Sequence, residues 1–197
     1  MTPSRLLLFC RAPVLGRVKT RLAKDVGDEQ ALDYYQQMLR HNFSVASQLK
    51  NIQKIIVTDD AQHDFFQHYS DQGFTIQQQS GGELGERLIR AFNENLQYAD
   101  HVVLIGVDSF DLTAELLQQA FEGLIDNDLV LSPVEDGGYI LIGLKQAVDT
   151  LFDNISWGTP LVLQQTLQQA QNKNLSVFLT GFLRDIDTVD DLIFKRI

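Results

Sequence analysis

The sequence predicts a layered α/β fold with a mixed, mainly parallel central sheet, and three observations support this prediction. Segments of strand character alternate with segments of helix character along the chain. The apolar, largely β-branched run from Val102 to Val107 is typical of a strand buried on both faces, as in parallel sheets. The turn Asp136-Gly137-Gly138 joins two strand-like segments and allows one local antiparallel pair.

The elements follow in order along the chain. Residues 6–10 form an apolar first strand, and residues 28–49 carry apolar side chains at helical spacing, which predicts a long helix. The pair Gly81-Gly82 opens a loop into another helix, and Thr113 stands where the helix after the central strand begins. The other predicted elements are strand 52–58, helix 61–70, strand 74–78, helix 84–98, strands 128–133 and 139–144, helix 160–170, strand 176–179 and helix 189–196.

Length and composition predict one soluble domain over residues 1–197. The chain has 197 residues and is 44% hydrophobic, which is enough for one full core and short for two. The single Cys10 excludes an internal disulfide and fits a cytoplasmic location. Apolar runs are far shorter than the roughly 18 residues of a membrane span, and no signal-type segment begins the chain, so we expect no membrane partner.

The charges are distributed unevenly. A formal net charge of −10 argues against a nucleic-acid partner, because phosphate backbones are held by extended basic surfaces. Residues 1–24 nevertheless contain six Lys and Arg side chains and no acidic one. A basic segment on an acidic protein indicates a small anionic ligand.

The basic residues lie mostly in a loop after the first strand. Pro13 and Gly16 interrupt regular structure there, and Arg17, Lys19 and Arg21 supply cationic donors. The segment is neither a Walker loop nor a dinucleotide fingerprint, because the glycine spacing of both is absent. Two interpretations stay open, a phosphate cradle at the carboxyl edge of the sheet and a solvated basic loop.

Asp108 directly follows the central strand. In open α/β sheets this edge forms the ligand crevice, so an aspartate there suits a metal ion or a ligand hydroxyl. The alternative is that Asp108, or Asp111 closer to the helix, caps the helix that starts near Thr113.

Three further clusters fall at strand ends or in loops, and each has a structural alternative. In residues 83–87, backbone amides and Arg87 can contact a base or a phosphate. The alternative is that this segment is only a helix N-terminus, where the helix dipole favours the negative charges of Glu83 and Glu86. Residues 135–139 let a ligand approach the backbone at Gly137 and Gly138, or form only a hairpin turn. Residues 185–191 place alternating carboxylates in an extended segment, where Thr188 or Asp187 can also cap the last helix.

The order of these motifs is more specific than any one of them. The set FCRAPVLGRVKTRLA, ELGERL, GVDSFDL, SPVEDGGYILIGL, ISWGT and DIDTVDDL resembles the DUF2064-type, glycosyltransferase-like proteins associated with radical-SAM or selenium genes, over essentially the whole chain. More weakly, the chain resembles guanylyltransferases that act on 2-phospholactate. The resemblance implies the nucleotide-diphospho-sugar transferase (GT-A) fold, a Rossmann-like three-layer α/β/α arrangement.

The resemblance also implies roles for individual residues. Asp108 and Asp187 would hold Mg²⁺ or Mn²⁺, and Asp108, Asp136 and Lys19 would be catalytic. The acceptor side would comprise Gly137, Gly138, Tyr139 and Trp157. The nucleotide and its phosphates would lie against Arg11, Gly16, Lys19, Arg21, Glu83, Gly85 and Arg87. Three positions depart from the family pattern, with Phe110 for Pro, Glu83 for Asp and Gly158 for Ser; they bear on the acceptor's shape and on the Glu83 contact.

Chemistry supports a metal-dependent transferase that takes a nucleotide-activated donor. The leaving group is an oligophosphate in either reaction, and a hard divalent cation together with Lys and Arg donors stabilises its charge. The leading hypothesis is glycosyl transfer from a nucleotide sugar to a small-molecule acceptor. The alternatives are nucleotidylyl transfer from a nucleoside triphosphate to a phosphorylated acceptor, which the basic loop favours, and a non-catalytic nucleotide-binding protein.

Overall fold

A computed structural model describes residues 3–192 of the chain. Seven strands form one sheet in the order β3-β2-β1-β4-β6-β5-β7. The strands are β1 (Ser4–Cys10), β2 (Gln53–Thr58), β3 (Phe74–Gln78), β4 (His101–Gly106), β5 (Leu129–Pro133), β6 (Tyr139–Leu144) and β7 (Val177–Leu179). The helices are α1 (Ala23–Val26), α2 (Asp28–Ser47), α3 (Asp64–Ser70), α4 (Leu84–Asn95), α5 (Ala114–Asp126), α6 (Val162–Asn172) and α7 (Val189–Leu192), with a 3₁₀ turn at Asp149–Phe152.

The sheet is mixed and mainly parallel, as predicted. Strands β1 to β4 pair in parallel, and β6 runs antiparallel to both of its neighbours, β4 and β5. The antiparallel step arises at the Asp136-Gly137-Gly138 turn, where Gly137 has a φ of 87°. Because the other strands share one direction, the ends of β1, β2 and β4 meet at the same edge of the sheet.

Two helical layers cover the sheet, which confirms the predicted α/β/α arrangement. Alternate residues of β1 face opposite sides: Leu6 and Leu8 pack with residues of α2, α3 and α5, whereas Leu7 packs with α4, α6 and the 3₁₀ turn. β4 alternates in the same way, with Val103 and Ile105 on the first face. Both faces of the central strands are therefore buried, which explains their unbroken apolar composition.

The predicted elements occur with small differences at their ends. Helix α4 ends at Asn95 rather than near residue 98. Helix α3 begins at Asp64 rather than at residue 61, because the His63 side chain accepts a hydrogen bond from the Phe65 amide and caps this helix. The sequence patterns missed α1 and the 3₁₀ turn. The final helix was predicted over residues 189–196, of which residues 193–196 lie outside the described part. Among the described residues, no helix has the length and apolarity needed to cross a bilayer.

Candidate phosphate-binding cleft

A cleft of about 360 Å³ opens at the carboxyl edge of the sheet. It lies where the loops after β1 and β4 meet the helix start of α4 and the segment before α7. Six of the predicted site residues line this cleft: Arg11, Lys19, Arg21, Arg87, Asp108 and Asp187. The topology brings them together although they are spread over more than 170 positions of the chain.

The loop after β1 is fixed at its start by neighbouring elements. The Tyr35 hydroxyl, on α2, accepts a hydrogen bond from the Arg11 amide at 2.9 Å and donates one to the Arg11 carbonyl at 3.0 Å. Asp59, directly after β2, accepts a hydrogen bond from the Ala12 amide at 2.6 Å. These contacts satisfy backbone groups that leave the sheet, and they hold the basic loop against the cleft.

Lys19 is the centre of the charge arrangement. Its Nζ lies 2.7 Å from Asp108 Oδ1 and 3.0 Å from Asp187 Oδ1, and the Lys19 side chain is only 5% exposed. Burial acts to lower the pKa of Lys19, but the two carboxylates outweigh it and the pKa lies above its ordinary value. Lys19 is therefore a charged ammonium group that joins two distant carboxylates.

A buried asparagine of α2 holds the loop that carries Asp108. The Asn42 side-chain amide, on α2, donates to the carbonyls of Val107 at 3.2 Å and Ser109 at 2.9 Å, the residues on either side of Asp108. The Asp108 carbonyl itself accepts a hydrogen bond from the Ile186 amide at 2.9 Å. Asp108 thus reaches the cleft from a backbone that is fixed on both sides.

The helix-cap alternatives for the aspartates of this loop do not hold. The Thr113 hydroxyl accepts a hydrogen bond from the Leu116 amide, so Thr113 caps α5. Asp111 instead pairs with Arg184 at 2.9 Å. The Asp108 carboxylate contacts Lys19 and lines the cleft.

Asp187 also faces the cleft rather than the helix after it. Its carboxylate contacts Lys19 and, at 3.3 Å, the Arg21 guanidinium. The Asp191 carboxylate accepts hydrogen bonds from the amides of Asp187 and Thr188 and from the Thr188 hydroxyl. Asp191 therefore orders the segment that presents Asp187.

A third carboxylate lies beside this pair. Burial, followed by the negative charges of Asp136 and Asp187, raises the pKa of Asp185 to about 6. Asp136 is exposed, and its Oδ1 accepts a hydrogen bond from the Gly138 amide at 2.9 Å. The turn that carries Asp136 thus comes near the carboxylates, although Asp136 does not line the cleft.

The helix α4 contributes Arg87 to the other wall. Its guanidinium donates to the Gln79 side chain at 2.6 Å, and its Nε is buried without a hydrogen-bond partner within residues 3–192. Glu83 is the N-terminal cap residue of α4, but its side chain makes no capping hydrogen bond. Gly85 packs closely against Phe152 and Trp157, so it serves the contact of α4 with the 3₁₀ turn rather than the cleft wall.

The predicted acceptor-side residues lie apart from this cleft. The Tyr139 hydroxyl is buried against Thr166 of α6, at 3.4 Å, and burial raises its pKa. Gly137 packs against the backbone of Pro160, and the Trp157 ring lies against Phe152. Gly16 has a φ of 73° and forms the bend of the basic loop.

Three residues at or near the cleft have no functional signal in the sequence patterns. Tyr35 and Asn42 fall on the buried side of α2, where sequence periodicity indicates core packing. Gln79 follows a strand without a distinctive pattern, and Asp185 is predicted only as part of the acidic cluster 185–191. A polar residue on the apolar face of a helix, as at Asn42, is the signal that could have indicated a buried hydrogen-bond network.

Comparison with known proteins supports the fold and shows the family. One similar structure is a protein of Desulfovibrio desulfuricans G20 that is provisionally named a nucleotide-diphospho-sugar transferase. It is 30% identical to this chain, and the match covers 99% of this chain and 87% of that protein, with a TM-score of 0.89. A CMP:2-keto-3-deoxy-manno-octonic acid synthetase complexed with CTP is 13% identical over 98% of this chain and 96% of its own, with a TM-score of 0.62.

A glucosyl-3-phosphoglycerate synthase from Mycobacterium tuberculosis, in complex with Mn²⁺, UDP and glucosyl-3-phosphoglycerate, is 10% identical over 98% of this chain and 75% of its own, with a TM-score of 0.54. At such low identity, these last two structures show a shared fold alone. No curated protein matches the chain in sequence. Residues 41–159 match the family described as "Uncharacterized protein conserved in bacteria (DUF2064)", and the chain therefore belongs to this family.

Proposed function

We propose that the protein is a transferase that binds the phosphates of a nucleotide-activated donor in the cleft. The observation that carries the proposal is the charge of the cleft wall: among the described residues that line it, Lys19 and four guanidinium groups face two carboxylates. The four arginines are Arg11, Arg17, Arg21 and Arg87. Within residues 3–192, neither Arg11 nor Arg17 pairs with a carboxylate. A polyphosphate would supply the missing negative charge.

The residues divide into two roles under this proposal. Arg11, Lys19 and Arg21 bind the donor phosphates, and their positive charge stabilises the additional negative charge that the leaving group carries in the transition state. Arg87 and the amides at the start of α4 face the same ligand from the opposite wall. Lys19 is the strongest candidate for a catalytic role because it is held at a fixed position by Asp108 and Asp187.

The donor set also fits a hard divalent cation. Asp108 and Asp187 are 44% and 41% exposed, and carboxylate oxygens suit Mg²⁺ or Mn²⁺, which bind one or two carboxylates together with substrate phosphates. Asp108 and Asp187 would hold such an ion, which would offset charge on the leaving phosphates. The described residues contain no group of three or more His, Cys, Asp or Glu side chains arranged to hold a metal, so phosphates would complete the coordination.

Glycosyl transfer from a nucleotide sugar is the first candidate reaction. It is supported by the similarity to the D. desulfuricans protein, which extends over almost the whole chain. The acceptor would enter from the side of the Asp136-Gly137-Gly138 turn, with Asp136 as a candidate catalytic residue beside Asp185. Tyr139 and Trp157 would then shape the acceptor side through packing, because the Tyr139 hydroxyl is directed at Thr166.

Nucleotidylyl transfer is the second candidate. Arg11 and Arg17 favour it, because a triphosphate and a phosphorylated acceptor together bring more negative charge than a diphosphate sugar. A non-catalytic nucleotide-binding protein would use the same cleft without turnover. The small-molecule partners, the single domain and the cytoplasmic location stay predictions.

Product analysis separates these candidates. The protein is incubated with Mg²⁺ or Mn²⁺ and either a set of nucleotide sugars or a set of nucleoside triphosphates, each with candidate phosphorylated and unphosphorylated acceptors. Glycosyl transfer releases a nucleoside diphosphate, nucleotidylyl transfer releases pyrophosphate, and a binding protein releases neither.

Variants test the cleft assignment independently of the reaction. Lys19→Ala and Arg21→Ala should weaken nucleotide binding in calorimetric or thermal-shift measurements, with a larger effect for the buried Lys19 than for Arg21, which is 71% exposed. Lys24→Ala removes an exposed charge just beyond the loop and serves as the control. If neither Lys19→Ala nor Arg21→Ala changes affinity relative to Lys24→Ala, the cleft does not bind phosphate.

A further inference from the structure

The position of Lys19 bears on how a metal ion reaches the Asp108–Asp187 pair. The ammonium lies within 3.0 Å of one oxygen of each carboxylate, which is the bridging position between them. Arg21 contacts the other oxygen of Asp187, so both oxygens of that carboxylate face a cation of the protein itself. A divalent cation that bridged the same two carboxylates would have to share them with Lys19.

Lys19 is anchored in this position. Its backbone has a left-handed φ of 48°, and the next turn begins with a hydrogen bond from the Ala23 amide to the Lys19 carbonyl at 2.9 Å. The neighbouring Val18 and Leu22 are buried in the core. The ammonium is therefore held by its loop as well as by its two carboxylate partners.

Two carboxylates alone supply too few ligands for a free divalent cation. Two aspartates approach Lys19, and no cluster of three metal-ligating side chains is present in the described part of the chain. Mg²⁺ and Mn²⁺ need about six oxygen ligands, and in sites with few carboxylates the substrate phosphates contribute to the coordination. A free divalent cation at this position would be repelled by the nearby Lys19 ammonium and would be bound by only two protein side chains.

We propose that Lys19 prevents free divalent cations from binding to Asp108 and Asp187, and that the metal binds there only together with the phosphates of the ligand. Polyphosphate oxygens add ligands to the metal, and their negative charge offsets the repulsion between the ammonium and the metal. This inference rests on the proposed function in one respect, since it takes the ligand to be a polyphosphate. It adds that the metal–polyphosphate complex is the bound species.

The test uses Mn²⁺ alone, followed by electron paramagnetic resonance of the free ion. The full-length protein is compared with Lys19→Met, which keeps an unbranched side chain one atom shorter and removes the charge. Lys19→Gly also removes the charge and accepts the left-handed backbone, so it provides a second variant if Lys19→Met does not fold. Lys24→Met removes one exposed positive charge nearby and controls for a general change in net charge.

We expect the wild-type protein and Lys24→Met to bind Mn²⁺ alone weakly and alike. Lys19→Met and Lys19→Gly should bind Mn²⁺ at least about tenfold more tightly, because the competing charge at the carboxylates is gone. Equal affinities in Lys19→Met, Lys19→Gly and the wild type would overturn the inference. Micromolar binding of Mn²⁺ alone by the wild type would overturn it as well, without reference to any variant.

A second measurement separates this inference from the proposed function. Thermal unfolding of the wild type is followed with Mn²⁺ alone, with inorganic pyrophosphate alone and with both. We expect the two together to raise the melting temperature by more than the sum of their separate effects. No response to pyrophosphate in any combination would contradict the proposed function, while the Mn²⁺ titrations of the Lys19 variants would still decide the role of Lys19.

Discussion

Lys19 combines a left-handed backbone, a buried side chain and two carboxylate partners. Lysine is seldom buried unless its charge is paired, so the contacts with Asp108 and Asp187 are what allow this position. The pairing also reaches from the loop after β1 to the segment before α7. One side chain therefore joins three parts of the chain at the cleft.

The first prediction at the residue scale concerns Asp108→Asn. The substitution keeps the size of the side chain but removes the charge, so Lys19 keeps one carboxylate partner and the cleft loses one candidate metal ligand. We expect most of the Mn²⁺-dependent increase in nucleotide affinity to be lost. The free energy of unfolding should fall by about 1 kcal/mol, because Asp108 is partly exposed. Calorimetric titration of the nucleotide with and without Mn²⁺ measures the first effect.

Asp111→Asn is the matched control. Asp111 lies three residues further along the same loop and pairs with Arg184, on the surface rather than in the cleft. Its nucleotide affinity should keep the Mn²⁺ dependence of the wild type. An unchanged Mn²⁺ dependence in Asp108→Asn would show that Asp108 holds no metal, and would remove the main support for a metal-dependent reaction.

At the scale of elements, helix α2 determines the shape of the cleft without lining most of it. Tyr35 binds the backbone of Arg11 in the loop after β1, and Asn42 binds the loop after β4. The two residues are seven positions apart, so they lie two turns from each other on the same side of the helix. One helix thus sets the distance between the two loops that carry the candidate ligands.

Asn42→Leu should uncouple α2 from the Asp108 loop. The change leaves the carbonyls of Val107 and Ser109 without the donor that satisfies them, and we expect the free energy of unfolding to fall by about 2 kcal/mol. Nucleotide affinity should fall as well, because Asp108 is no longer held in place. Chemical denaturation and calorimetry measure the two effects.

Asn95→Leu provides the comparison for a loss of stability alone. Asn95 is also buried in a helix and donates to the Ala91 carbonyl, but it lies with Arg5 at the other end of the sheet. We expect a comparable loss of stability with unchanged nucleotide affinity. If the two variants affect affinity equally, Asn42 has a general structural role and does not position Asp108.

The turn between β5 and β6 requires glycine for two separate reasons. Gly137 has a φ of 87°, and a Cβ at this position would lie 2.3 Å from the Pro160 carbonyl oxygen. Gly137→Ala should therefore lower the free energy of unfolding by about 2–5 kcal/mol, from backbone strain and steric overlap together. Thermal or chemical unfolding measures this loss.

Gly158→Ala separates the two causes. Gly158 has a φ of 74°, but a Cβ there would meet nothing within 4 Å. This variant should lose only about 1 kcal/mol, from backbone strain alone. Equal losses in the two variants would mean that the contact of Gly137 with Pro160 relaxes at no cost.

At the scale of the whole molecule, the sequence patterns predicted the architecture better than the cleft. Strands β3 and β6 begin and end where the patterns place them, because apolar side chains alternate with a polar one at the start of β3 and form a nearly continuous run in β6, as in strands of a sheet. Helix α1 and the 3₁₀ turn were missed because each has only four residues, too few for a periodic pattern. Short elements of this kind are ordered by their contacts with the rest of the fold.

Topology alone predicts only the cleft residues that directly follow strands, whereas Arg87 was predicted from a helix start and Asp187 from the family resemblance. Asp108 and the basic loop follow β4 and β1, and topology alone brings those ends together. The pairing of Lys19 with Asp187 spans 168 positions and depends on the path of the chain from β7 to α7. That path is set by backbone contacts, such as the Leu183 amide with the Pro133 carbonyl, that no side-chain pattern reports.

The last prediction follows from the contrast between a net charge of −10 and a cleft lined by five cationic side chains. Binding of inorganic pyrophosphate should weaken several-fold as NaCl rises from about 0.1 M to about 1 M, because the screening length falls from about 10 Å to about 3 Å. The double variant Arg11→Gln/Arg17→Gln should bind more weakly at low salt and depend less on salt, because both guanidinium groups lack a carboxylate partner in residues 3–192. Lys50→Gln/Lys173→Gln removes two exposed positive charges outside the cleft, so it controls for net charge and should behave as the wild type. Isothermal titration at several salt concentrations measures these slopes. If the double variant keeps the wild-type slope, the charge that attracts the ligand lies elsewhere on the molecule.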